Sequence, residues 1–134
     1  MIGQYLMFNR NCIEALEIYE KAFDTKIVDI QRYGDMPPNQ DFPIAETDKA
    51  LVLHARLNIN NVDIMCADTV EQLEYGTNMF VSITTPDTAF VKKAWDILKE
   101  GGEVYMDLTP SFFANLHGSL QDRFGINWMF TASK

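Results

Sequence analysis

The chain has 134 residues, 47% of them hydrophobic and 22% charged, and nineteen acidic side chains against eleven basic ones give a net charge of -8. That length fits one compact domain burying about two thirds of the surface of its unfolded form, and the apolar content excludes a disordered, charge-dominated chain. No basic run interrupts the acidic balance, so a nucleic acid backbone finds no surface that would release its counterions, and nucleic acid is not an expected partner.

Cys12 and Cys66 are distant in sequence and form neither a CxxC pair nor a four-cysteine zinc set, so buried reduced thiols are expected. The opening MIGQYLMFN has no basic or long apolar segment of a signal peptide. No stretch approaches the roughly 18 apolar residues of a membrane span. A soluble, cytoplasmic protein is expected.

In chain order, IGQYLMFN is rich in strand formers. It is followed by NCIEALEIYEKAF, where Cys12, Ala15, Leu16, Tyr19, Ala22 and Phe23 recur at helical spacing. Asn11 with Glu14 predicts a capping box at the start of this helix. Next come a strand at KIVDIQRY, the proline-rich GDMPPNQDFP, and strands at ALVLHARLNI and VDIMCAD joined by a hairpin turn at NN. From residue 77 the order repeats: TNMFVSITT as a strand, a helix from Pro86 to about Glu100, then strands at EVYMDL, FANLHGSLQ and INWMFTA. Thr85 is the expected cap of the second helix, with Pro86 at its first position and Gly101 left-handed just past its end. Val91, Ala94, Trp95 and Leu98 form its apolar stripe. The polar TVEQLEYG is a linker between modules of about 1–68 and 77–134 within a single domain.

Alternation within strands assigns faces, because successive side chains point to opposite sides. Leu51, Leu53, Ala55, Leu57 and Ile59 should pack on the helix, with Val52, His54, Arg56 and Asn58 opposite. Val62, Ile64 and Cys66 should pack, leaving Asp63 and Met65 opposite. Val104, Met106 and Leu108 should pack, leaving Tyr105 and Asp107. Asn115, His117 and Ser119 form a polar set. On the last strand Ile126, Trp128 and Phe130 should pack, with Asn127 and Met129 on the other side.

The stretches YLMFNRNCIEALEIYEKAF, LHARL and LQDRFGINWMF resemble the PhnB-like branch of the vicinal oxygen chelate superfamily, which includes glyoxalases, bleomycin-binding proteins and extradiol dioxygenases. The resemblance runs through essentially the whole chain. It implies an α+β fold of two βαβββ modules, whose curled mixed sheets surround a cavity, and commonly a homodimer. In metal-dependent members, a His or Gln near the first strand and Glu or His on three further strands hold a divalent ion. Gln4 stands at the first of these positions, but Met65, Phe80 and Met129 fall on or near the others. Thioether and phenyl groups do not suit a hard divalent ion. The branch is often labelled a ubiquinone-pathway methyltransferase, yet the sequence has no glycine-rich strand-to-helix turn for a nucleotide cofactor.

His54 suits an orienting or acid–base role and Arg56, on the same face, a bidentate grip on an anion; the alternatives are a structural histidine and a salt-bridged arginine. His117 with His54, Asp63 and Asp107 is an alternative, unorthodox metal set. Asp122 and Arg123 are expected to be turn residues, and Trp95 and Trp128 core. The loop YGDMPPNQDFPIAETDK suits a lid, a dimer contact or a disordered surface segment, with Tyr33 at a cavity mouth.

The leading expectation is a small-molecule binding protein without the superfamily metal or any other cofactor, its ligand-binding set being Gln4, Tyr33, His54, Arg56, Met65, Tyr105, His117 and Met129. Expected partners are a small-molecule ligand and a second copy of the chain, and not a membrane. The alternatives are a metal-dependent lyase, isomerase or dioxygenase-like enzyme and a structural dimerising module.

Overall fold

The computed structural model describes residues 1–134. Its elements are β1 (Tyr5–Asn9), α1 (Cys12–Ala22), β2 (Ile27–Arg32), β3 (Val52–Ile59), β4 (Val62–Thr69), β5 (Val81–Thr85), α2 (Thr88–Leu98), β6 (Glu103–Thr109), β7 (Ala114–Gln121) and β8 (Asn127–Ser133). Short 3-10 turns at Tyr33–Asp35 and Glu46–Asp48 punctuate the long β2–β3 connection. Two compact units result, one of Met1–Glu20 with Thr25–Leu73 and one of Lys21–Asp24 with Glu74–Lys134. Each holds a four-stranded mixed sheet, ordered β1-β4-β3-β2 in the first and β5-β8-β7-β6 in the second, with β1/β4 and β5/β8 parallel. The α+β class and the duplicated βαβββ order are as the sequence predicts. No helix is long and apolar enough to cross a membrane.

In the first unit Leu6 and Phe8 of β1 are buried, with Cys12, Ala15, Leu16 and Tyr19 of α1. The Phe8 and Tyr19 rings lie 6.2 Å apart. The β3–β4 hairpin turns at Asn60 and Asn61, both left-handed with φ of 51° and 68°, as a two-residue primed turn requires. Ala55, Leu57 and Ile59 pack as expected, but Leu51 and Leu53 are only half-buried and Val52 takes the core position. The cause is a register slip: Gln31 pairs with His54 and Arg32 with Val52, so Leu53 is an extra residue that reverses the alternation. Val62, at the strand's start, is exposed.

Asp68, buried at the end of β4, holds this corner. Its Oδ2 accepts from Val52 N at 2.9 Å, and its Oδ1 accepts from Cys12 N, also at 2.9 Å, at the first turn of α1. A carboxylate there satisfies an otherwise orphaned amide and complements the helix dipole. The Asn11 capping box does not form, because Asn11 Oδ1 is buried without a hydrogen-bond partner and Asp68, 56 residues beyond Cys12, does the capping. Cys12 and Cys66 are free and buried as expected, but they are not solitary: their side chains meet in the core. The hydrogen bond with Cys66, then burial, pushes the Cys12 thiol far up from its ordinary value.

In the second unit the core gathers Ile83, Val91, Ala94, Trp95, Leu98, Leu120, Trp128, Phe130 and Ala132. The Phe23 ring lies 5.2 Å from Trp128, and Trp95 meets Phe130 edge-on at 6.1 Å. Helix α2 starts at Thr88 and not at Pro86, because Asp87 is its cap, accepting from Phe90 N at 3.0 Å. Thr85 sits further out, its hydroxyl accepting from Asp87 N. Gly101 is left-handed just beyond the helix, as predicted.

The turn before β8 is organised by Asp122, which is buried. Its Oδ1 accepts from Phe124 N at 2.9 Å and Ile126 N at 3.0 Å, and its Oδ2 accepts from Trp128 Nε1 at 2.9 Å. Gly125 has a φ of 87°, and a Cβ there would come 2.5 Å from the Tyr75 ring, so any other residue would be strained and would have to displace that ring. The packing expected of Val104, Met106 and Leu108 is not observed. Strand β6 is an exposed edge whose register against β7 slips twice, at Val104/Met106 and Met106/Thr109, which destroys simple alternation.

Truncating either buried carboxylate leaves buried donors unpaired. Asp68→Ala and Asp122→Ala should each cost about 2 to 4 kcal/mol in denaturant unfolding. A loss below about 1 kcal/mol for either would show that water replaces the carboxylate.

Candidate functional site

Each sheet buries one apolar face, leaving the other to polar side chains. On the first sheet that open face carries Tyr5, Met65, Arg56 and Asp29 in one row, since Tyr5 registers with Met65, Met65 with Arg56 and Arg56 with Asp29. Tyr5 Oη and His54 Nδ1 are 2.8 Å apart. Burial first, then the neighbouring Cys66, Cys12 and Tyr33, raises the Tyr5 hydroxyl and keeps it protonated. Which of the two donates is set by the imidazole tautomer. Arg56 is committed elsewhere: it pairs with Asp63 at 3.5 Å and Asp29 at 4.0 Å. The salt-bridged reading of Arg56 is therefore observed.

Gln4 precedes β1; its backbone carbonyl accepts from Met65 N at 3.1 Å and its side chain is exposed. The Tyr33 hydroxyl donates to the Asp68 carbonyl at 2.8 Å, and burial, then Asp68 and Asp48, pushes that hydroxyl up. Its ring helps wall a cavity of about 500 Å³ within the β2–β3 connection, with Met36, Pro37, Phe42 and Pro43. The ends of this loop are tied by Tyr33 N donating to Leu51 O, Gly34 N donating to Lys49 O, and the 2.7 Å Arg10–Asp48 ion pair.

On the second sheet the open face has two clear rows. Ser82 registers with Met129, Met129 with Ser119, and Ser119 with Met106; Thr84 registers with Thr131, Thr131 with His117, and His117 with Thr109. His117 Nδ1 lies 3.0 Å from Thr131 Oγ1, and Phe113 stacks edge-on against the imidazole at 5.0 Å. Met129 is half-buried on this face while Trp128 is wholly buried on the other, as alternation predicts. Tyr105 serves the frame: its hydroxyl donates to Asn127 Oδ1 at 2.9 Å, and Asn127 Nδ2 donates to Gly76 O and Met79 O, pinning the segment that enters β5. Burial, then Glu103, raises that hydroxyl.

The structure thus brings His54 to Tyr5 and His117 to Thr131, two partners that the sequence did not single out. Both lie on the polar parity of their strands, which is the only sequence signal for them. No group of three or more His, Cys, Asp or Glu side chains is arranged to hold a metal ion. Asp63 is engaged by Arg56 and Asn58. On or near the positions where the family resemblance implies metal ligands, Met65 and Met129 offer thioethers and Phe80 packs edge-on against Tyr105 at 5.9 Å. This donor set does not fit a hard divalent ion.

Two βαβββ modules, each with a helix-backed face and an open polar face, define the vicinal oxygen chelate class. Residues 1–131 match the 3-demethylubiquinone-9 3-methyltransferase family, and the chain belongs to that family, within the PhnB-like branch. It is 31% identical to protein PA1353 from Pseudomonas aeruginosa, covering 98% of this chain and 96% of that one with a TM-score of 0.83. It is 26% identical to the PhnB protein of Bacillus cereus, covering 97% of each chain with a TM-score of 0.77. The fosfomycin resistance protein FosX of Listeria monocytogenes shares the fold alone, at 12% identity over 100% of this chain and 92% of that one, with a TM-score of 0.64. Neither sheet here is the doubly wound parallel type that seats a nucleotide cofactor at a glycine-rich turn.

The facing of β8 can be checked directly. Trp128→Ala should cost about 3 to 5 kcal/mol in denaturant melts, because it empties a packed core site. Met129→Ala should cost clearly less. The reverse order would invert the facing of β8.

Proposed function

We propose that the protein binds an organic small molecule without the superfamily metal. The observation that carries this reading is the open face of the second sheet, where Ser82, Met129 and Ser119 lie side by side in one register row beside Thr84, Thr131, His117 and Thr109 in the next. A thioether among hydroxyls and an imidazole gives apolar contact with a few orienting hydrogen bonds, the usual composition of a ligand site. FosX was solved with Mn(II) and a dihydroxypropylphosphonic acid, so this fold can present a small-molecule site. What supports the metal-free part is the thioether and phenyl groups on or near the ligand positions and the absence of any grouping of three or more His, Cys, Asp or Glu side chains.

Calorimetric titration of the untagged protein with manganese, nickel and zinc salts should show no saturable site. A saturable site of one ion per chain, lost in His54→Ala or His117→Ala, would replace this reading with the metal-dependent enzyme.

We further propose that the working form is a homodimer. Strand β6 ends its sheet with Val104, Tyr105 and Met106 exposed, and Phe112 and Phe113 are 92% and 50% exposed in the loop after it. An apolar edge of this kind gains from being covered. Light scattering should give twice the chain mass, and Met106→Glu with Phe112→Glu should shift it toward the monomer. A monomer at every concentration would remove the proposal.

A further inference from the structure

We infer that the polar group recognised on the open face of the second sheet is uncharged, a carbonyl or hydroxyl on an apolar body, and not a carboxylate, phosphate or phosphonate. This rests on the small-molecule reading above and narrows its ligand class.

Strands β5, β6, β7 and β8 contain no lysine or arginine, so no fixed cation projects from either face of this sheet. The other cations of the unit lie off its strands. Lys93 pairs with Asp24 and Lys99 with Asp96, while Arg123 donates to Glu100 O and Lys134 to Phe112 O. Lys21 and Lys92 are exposed residues of helices. The fixed charges on the strands themselves are Glu103 and Asp107, both negative, and Glu103 registers with Gln121 at the end of the open face. Any ion placed beside Met129 would lose its hydration with no fixed counter-charge in that register row or the next, and an anion would in addition feel these acids. A neutral carbonyl or hydroxyl loses far less on leaving water, and hydroxyls and an imidazole can return its hydrogen bonds. The first sheet follows the same rule. Its strands carry only Arg32, which donates to Ala50 O, and Arg56, which is held by two carboxylates.

The test uses one ring with five headgroups. Nile red, a neutral fluorescent probe, is bound to the full chain at mildly alkaline pH, where imidazoles are neutral. It is then displaced by acetophenone, benzyl alcohol, benzoate, phenylphosphonate or benzylamine. The two neutral compounds should displace it, and benzoate and phenylphosphonate should be weaker by about tenfold or more. Thr131→Val should weaken acetophenone by about three- to tenfold after correction for that variant's own affinity for Nile red, because the ketone loses one hydroxyl donor. Ser82→Lys, at an exposed position beside Met129, should bring benzoate up to the level of acetophenone. The inference is overturned if benzoate, phenylphosphonate or benzylamine competes as well as acetophenone in the unmodified protein. It is equally overturned if Nile red binds and neither neutral compound displaces it. Failure of Nile red itself to bind would instead remove the small-molecule reading on which the inference rests.

Discussion

A buried carboxylate stands at one corner of each sheet, and the facing of the strands depends on it. Asp68 joins the first turn of α1 to the bulge at the start of β3, and Asp122 joins three donors in the turn that launches β8. A buried carboxylate is costly unless its oxygens are satisfied, and these two are satisfied largely by backbone amides that would otherwise be orphans. The exchange constrains geometry more than it adds stability. Because side chains alternate, fixing one residue of a strand fixes the face of all the others. The bulge at Leu53 leaves His54 opposite the core and within reach of Tyr5, and the Asp122 turn puts Trp128 inside and Met129 outside.

The chemistry of the open faces follows from that facing. Hydroxyls, two imidazoles and several thioethers are displayed, while the one arginine on the first face pairs with Asp29 and Asp63. Each histidine is paired with a hydroxyl, which orients the ring. A family name that speaks of methyl transfer and a fold that elsewhere holds a metal both leave open what a member does; the side chains at the site decide it.

Much of this was legible in the sequence because hydrophobic periodicity is a local property. Both helices, all eight strands and the Asn60–Asn61 turn follow from spacing and turn chemistry. Failures came where a distant partner overrides a local pattern. The capping box at Asn11 looked complete in sequence, yet the helix is capped by Asp68, and Thr85 lost its role to Asp87 two residues on. Alternation failed at Leu53 and along β6, where bulges add a residue that no propensity reveals. Cys12 and Cys66, like Tyr5 and His54, meet only through strand order.

The central claim is that these faces serve an organic ligand and no metal. Native mass spectrometry of the untagged protein, purified without chelators or added metals, puts the two outcomes on one mass scale. The expected spectrum is that of the bare chain or dimer together with an adduct of organic mass that gentle collisional activation removes. A stoichiometric adduct of a divalent ion that survives the same activation would contradict the claim and return the protein to the metal-dependent members of its superfamily.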